Sequence, residues 1–143
     1  MPTSTLIIGK EFPKKVIPLI QNAKKSIDII VFDWRWYPNQ IGQTIQQFNH
    51  EIIKASRKNC KIRVVVNSNQ IIKELQLHDI KTKIHCYKGL LHTKLMIIDR
   101  ELAILGSHNY TMNAFTINYE ISIIVQDIMT LQRLQTYFEN LWL

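Results

Sequence analysis

Cysteine is scarce in this chain, with only Cys60 and Cys86 among 143 residues. They lie far apart and form no C-x-x-C pair, which excludes a disulfide framework and a zinc ribbon and leaves two reduced thiols. Glycine and proline number four each. That is too few for a low-complexity linker, and no internal repeat is present, so the chain reads as one domain spanning residues 1–143. No run approaches eighteen apolar residues, and MPTSTLIIGKEF at the start lacks both the basic n-region and the long apolar h-region of a leader. These absences predict a cytoplasmic protein without stable membrane association. An amphipathic membrane-surface helix with aromatic anchors is also missing.

Acidic residues are in the minority, eleven against eighteen Lys and Arg, for a formal charge of +7. The excess lies in residues 1–88, where fifteen basic residues face six acidic ones. Such a balance suits a polyanionic partner, since neutralising phosphates releases counterions. Many of these lysines also simply solvate helices. Hydrophobic residues make up 46% of the chain, enough for a normal core at this length.

The densest chemistry runs from His92 to Glu120, reading HTKLMIIDRELAILGSHNYTMNAFTINYE. His92, Lys94 and Asp99 are spaced H-x-K-x-x-x-x-D, and Gly106, Ser107, Asn109 and Glu120 follow. An imidazole is a nucleophile and proton carrier near neutral pH, and an ammonium two residues away neutralises a bound anion. Residues 92–99 read as a buried strand on which His92 and Lys94 share a face. A turn at Arg100 and Glu101 leads into a second strand, residues 102–105, ending at Gly106, where glycine permits close backbone approach. Ser107 and Asn109 offer neutral donors to phosphate oxygens. The chemistry implied is phosphoryl transfer.

This stretch resembles the H-x-K-x4-D-x6-G-S-x-N motif of the phospholipase D superfamily, with Thr111 in the position of the threonine that often follows. In size and single motif the chain resembles the small bacterial endonucleases of that superfamily. The resemblance implies that His92 attacks phosphorus to form a phosphohistidine and that a second histidine, from another copy of the motif, protonates the leaving oxygen. It further implies that Lys94 and Asn109 hold the non-bridging oxygens, that Ser107 bonds near them, and that Glu120 holds Nδ1 of the imidazole. Asp99 is expected to fix the turn and not to touch substrate. No metal and no cofactor are implied. One motif is half of such a site, so the expectation is a homodimer with the two His92 residues facing across a two-fold axis. A metal-independent endonuclease on DNA or RNA is the leading reading; a lipid phosphodiesterase and a non-catalytic nucleic-acid-binding module are the alternatives.

Around the motif the pattern predicts an α/β fold, a mixed sheet with helices on both faces. Strands are expected at residues 6–8, 26–33, 61–66, 83–87, 92–99, 102–105 and 118–126. Helices are expected at 13–25, with Pro18 marking its start or a kink, and from Pro38-Asn39 through the stripe Ile41, Ile45, Phe48, Ile52 and Ala55. Further helices are expected at 70–77, after Asn109, and after Asp127. Residues 67–69 mark a loop, and the helical turns after Asn109 are expected to offer free N–H groups to phosphate. Trp34, Arg35 and Trp36, at a strand's carboxyl end, either contact bases and phosphates or plug the core. Lys81, Lys83 and Lys88 are candidates to line a groove toward His92. His108 occupies the variable position of G-S-x-N and either contacts substrate or is structural.

Overall fold

The computed structural model describes residues 4–67 and 70–143. Seven strands form one mixed sheet: β1 (Ser4–Ile8), β2 (Ser26–Val31), β3 (Lys61–Val66), β4 (Lys81–Ile84), β5 (Leu95–Ile98), β6 (Leu102–Gly106) and β7 (Ile121–Val125). Their order across the sheet is β1-β7-β6-β5-β2-β3-β4. β2, β3 and β4 pair parallel, and the remaining neighbours pair antiparallel. Ser68 and Asn69 of the expected loop lie outside the described residues.

Alternation along the central strands divides the core in two. Ile27, Ile29, Val31, Val64, Val66, Met96 and Ile104 face one side. There they meet α1 (Glu11–Gln21), α2 (Thr44–Arg57), α3 (Ile72–Gln76) and α4 (Met112–Thr116) through Phe12, Phe48, Leu75 and Phe115. Ile30, Val65, Leu95, Ile97 and Ala103 face the other side, covered by α5 (Ile128–Trp142) through Leu131 and Phe138. Helices thus lie on both faces, but one face has a single helix. Burying each large apolar side chain stabilises by about 1.5–3 kcal/mol.

A polar clasp holds α5 to the sheet. Arg63 of β3 donates from Nε and Nη2 to Asp28 at 2.9 and 3.0 Å and from Nη1 and Nη2 to Glu139 at 2.9 and 2.7 Å. Its guanidinium lies 4.8 Å from the Phe138 ring centre and 5.5 Å from that of Trp142. Gln135 donates to both Asp28 and Glu139. Hydrogen bonds donated to Glu139 and Asp28, against the cost of burial, raise the Arg63 pKa.

Several boundaries differ from the sequence reading. α1 begins at Glu11 and runs through Pro18, whose exposed position tolerates the missing N–H. α2 begins at Thr44, because residues 37–43 turn twice through Gln40 N to Tyr37 O and Gln43 N to Gln40 O. Ile41, expected in the core stripe, is 70% exposed. β4 is Lys81–Ile84, set by its register on β3. The β5–β6 turn centres on Asp99 and Arg100, both left-handed at φ 54° and 57°, with Glu101 N closing onto Ile98 O.

Candidate active site

The carboxyl ends of β2, β3 and β6 and the amino ends of β5 and β7 meet at one edge of the sheet. His92 and Lys94 lie in the extended segment entering β5, two residues apart and on one side as their spacing requires. Lys94 Nζ sits 3.0 Å from His92 Nδ1 and 3.3 Å from Nε2. The Phe32 ring packs against the imidazole at 4.9 Å between centres and lies 5.6 Å from Nζ. Burial lowers the Lys94 pKa, with Glu120 pulling the other way.

Ser107 donates to Glu120 Oε1 at 2.5 Å and accepts from Ile121 N at 3.0 Å. Asn118 donates to Glu120 Oε2 at 3.2 Å. Gly106 makes this approach of β6 to β7 possible, since a Cβ there would overlap the Ile121 carbonyl and Ser122 Cα. His92, Lys94, Gly106 and Ser107 line an open cleft of about 560 Å³, whose other wall is Leu105, Leu134 and Tyr137. The structure therefore gathers His92, Lys94 and Ser107 in one cleft.

Asn109 sits beside it. Its Oδ1 accepts from Asp33 N at 3.1 Å, and with Arg35 it lines an adjoining cleft of about 470 Å³. Arg35 is exposed and bonds Asp33 through Nε at 3.2 Å, which leaves the outer guanidinium nitrogens toward solvent. Asp99 is engaged inside the fold. Its carboxylate accepts from the backbone N–H groups of Lys24, Lys25 and Ser26 at 3.0, 2.6 and 3.0 Å. Burial alone would raise its pKa, but those three donors outweigh it and the net shift is downward.

Three expected placements are not met within the chain, those of Glu120, the start of α4 and the groove lysines, and the alternatives left open for His108 and for Trp34 and Trp36 are decided for the core. Within the chain Glu120 bonds Ser107 and Asn118, while the position beside His92 Nδ1 is taken by Lys94. His108 is 1% exposed, with Nε2 at 2.8 Å from Gly9 O and Nδ1 at 2.7 Å from Ser122 Oγ, and it stacks on Phe12. Gly9 O only accepts, so Nε2 carries the proton and Ser122 donates to Nδ1; both nitrogens are used inside the fold. Trp34 is 3% exposed and donates to Asn49 at 2.7 Å, which makes it core, and half-buried Trp36 packs against that core and edge-on to His50. The start of α4 is already occupied: Met112 N bonds Tyr37 Oη, and Ala114 N bonds Thr111 Oγ1. Of the groove lysines, Lys81 begins β4 at the opposite edge, Lys83 donates to the Trp142 and Leu143 carbonyls, and Lys88 is exposed on the β4–β5 connection, outside the cleft lining.

Two positioning contacts were not expected. Asn67 donates to Leu91 O at 2.6 Å, immediately before His92, and Tyr137 Oη lies 2.7 Å from Thr93 Oγ1, between His92 and Lys94. Neither is signalled locally, because the partners are 24 and 44 residues apart. Among the described residues no group of three or more His, Cys, Asp or Glu side chains could hold a metal ion, and no helix is long and apolar enough to cross a membrane.

Residues 16–142 match the family described as "Cardiolipin synthase, PLD-like domain". The chain belongs to the phospholipase D superfamily. A relative of this superfamily member is the probable cardiolipin synthase YwiE of Bacillus subtilis, 28% identical over 134 residues that cover 85% of this chain and 25% of that protein. The vaccinia virus virion nicking-joining enzyme is 27% identical over 157 residues, covering 98% of this chain and 37% of that one. The chain therefore spans between 25% and 37% of the length of these relatives. Two solved structures share the fold at a TM-score of 0.80: NucT from Helicobacter pylori at 19% identity, and Nuc from Salmonella typhimurium, a phospholipase D family member, at 16%. Each is matched over 97% of this chain and 94% of the other.

Proposed function

We propose that the chain is a metal-independent phosphodiesterase acting on DNA or RNA, with a site completed by a second copy of itself. The observation that carries this is the cleft in which Lys94 Nζ sits against the His92 imidazole beside Ser107, itself held by Glu120. In the forward step an imidazole nitrogen of His92 attacks phosphorus. A phosphorus–nitrogen bond forms, the phosphorus–oxygen bond to the leaving group breaks, and that oxygen takes a proton from the partner's His92. Water, giving its proton back to that second histidine, then hydrolyses the phosphohistidine. Lys94 and the Asn109 amide neutralise and bond the non-bridging oxygens, and Arg35 in the adjoining cleft takes a flanking phosphate. Glu120 acts through Ser107, fixing its hydroxyl.

The second histidine comes from another subunit in this reading because His108 is used in the core. Nucleic acid is favoured by the +7 charge and by a relative named a nicking-joining enzyme. A lipid phosphodiester is the second reading, favoured by the apolar cleft wall of Leu105, Leu134 and Tyr137 and by the cardiolipin synthase relatives. The test is cleavage of single- and double-stranded DNA, RNA and a labelled phospholipid in excess EDTA, with His92→Ala in parallel. Nucleic-acid cleavage that persists in EDTA and falls at least a thousandfold in the variant is expected, together with an acid-labile phosphoenzyme on rapid quench. Lipid hydrolysis alone would replace this reading with the second.

A further inference from the structure

The positive charge is not gathered around His92. The sheet has two ends, and the cleft occupies the one where β2 and β3 finish. At the other end, where they begin, exposed Lys25 precedes β2, Lys58 and Lys61 flank the α2–β3 turn, Lys81 opens β4, and Arg100 tops the β5–β6 turn. Adjacency is fixed by backbone hydrogen bonds: Lys61 N donates to Lys25 O at 3.0 Å and Asp99 N to Ser26 O at 2.8 Å. Lys61, Lys81 and Arg100 rim one open cavity of about 670 Å³, larger than the cleft at His92.

The acids nearby do little to neutralise this rim. Asp28 and Glu139 are bonded to Arg63, Arg100 shares Glu139 only through a loose, exposed contact at 3.8 Å, and Asp99 is spent on three backbone N–H groups. Asp79 on the cavity wall and Glu101 beyond the turn are left. Among the described residues neither Lys61 nor Lys81 makes an ion pair. The cavity wall also carries Ser26, Ser56 and Asn59, and its members Cys60 and Ile62 are buried. Burial pushes the Cys60 thiol up to about 11, so it is an inert wall.

We propose that this end of the sheet is a second binding surface for a nucleic-acid backbone, engaged through phosphates by Lys61, Lys81 and Arg100 about 20 Å from His92. The distance follows from the strands, six residues in β2 and β3 at about 3.3 Å per residue. A concave, cation-rimmed wall suits a phosphate chain; a bilayer would call for large exposed apolar side chains to insert, and none of those in the lining is exposed. The choice of nucleic acid rests on the function proposed above. A strand held at both ends of the sheet must be longer than one that fills the cleft alone, so the second surface acts on long substrates only.

The experiment measures binding by fluorescence anisotropy in a His92→Ala background, using fluorescent single strands of 3 and 30 nucleotides. Lys61→Ala/Lys81→Ala is compared with Lys54→Ala/Lys73→Ala, an equal loss of charge elsewhere on the surface. The cavity variant is expected to bind the 30-mer about tenfold more weakly and the 3-mer unchanged. Its slope of log K against log salt should shrink by about 1.4, two phosphates at roughly 0.7 each for a single strand. Lys25→Ala/Lys58→Ala should weaken the 30-mer in the same direction and guards against a folding defect in the first pair. Unchanged 30-mer affinity in both cavity-end variants, or an equal loss in the control pair, overturns the proposal. So does loss of binding to phosphatidylglycerol vesicles with DNA binding intact. With His92 restored, a chain that binds the 30-mer through these lysines but cleaves no nucleic acid overturns the nuclease reading and leaves the second surface standing.

Discussion

His108 and His92 are both histidines of one motif, and the fold treats them oppositely. His92 stands exposed at the cleft, whereas His108 is sealed between Phe12, Ser122 and the Gly9 carbonyl. Burial lowers the His108 pKa, and the bond to Gly9 only partly offsets this. The unfolded chain therefore takes up a proton near the ordinary histidine value of about 6.5 while the folded chain does not. Stability is full above that pH and falls as the pH drops below it, by up to about 1.4 kcal/mol per pH unit for one proton. Thermal melts between pH 7.5 and 5.5 should show this decline, and His108→Gln should melt lower but lose about one proton's worth of the slope. An unaltered slope would remove His108 as the cause. At this scale the sequence served well where neighbours are local: His92 and Lys94 fall on one side as their spacing requires, Asp99 follows the end of β5, and Ser107 follows the end of β6. It failed for His108 and Trp34, whose burial is decided by Phe12 and Asn49, distant in the chain.

Among the elements, α5 alone covers its face of the sheet, and it is fastened by ions as well as by Leu131 and Phe138. Asp28 is 1% exposed and bonded to Arg63 and Gln135. Asp28→Ala leaves the guanidinium half-buried with one carboxylate fewer, and breaking such a pair costs about 3–5 kcal/mol when fully buried. Because Arg63 retains Glu139 and some exposure, a loss of about 2–3 kcal/mol is expected in urea unfolding, with faster amide exchange concentrated in α5. A change under 0.5 kcal/mol would mean the clasp is dispensable. Since Tyr137 of α5 touches Thr93, the same variant should also lower turnover. The strands with long apolar runs were legible from composition. The start of α2 was not, because Ile41 continues the apolar stripe in sequence while the double turn before Gln43 takes it out of the helix; nor were the bounds of β4, expected at 83–87 and found at Lys81–Ile84, whose lysine-rich edge carries weak alternation.

For the whole molecule, the proposed dimer needs a surface beside the cleft. Ile8 and Ile121 are register partners, 55% and 58% exposed, next to Leu6 at 54%. They lie on the face that carries Leu105 and the cleft, directly after Glu120. In the proposed reading a second copy covers them. Ile121→Asp should then shift the sedimentation mass from two chains to one and cut phosphodiester cleavage at least tenfold, with the far-ultraviolet spectrum unchanged. A monomeric wild-type protein with full activity would refute the shared site. The expectation of a half-site comes from the single H-x-K in the chain. The distribution of charge was not, because Lys25, Lys61, Lys81 and Arg100 come from four separate stretches that only the sheet order brings together.

β5 itself is a ruler. Its four residues, Leu95–Ile98, stand between Lys94 at one end of the sheet and Asp99 at the other, where the carboxylate grips the chain ahead of β2. Both groups are held by contacts that a strand cannot stretch to meet. One residue more or fewer would exchange the faces of every side chain between them, turning Met96 and Ile97 into the wrong halves of the core and moving either the imidazole out of the cleft or the carboxylate off its three donors. The interval in the motif is thus a length of sheet, written as a count of letters.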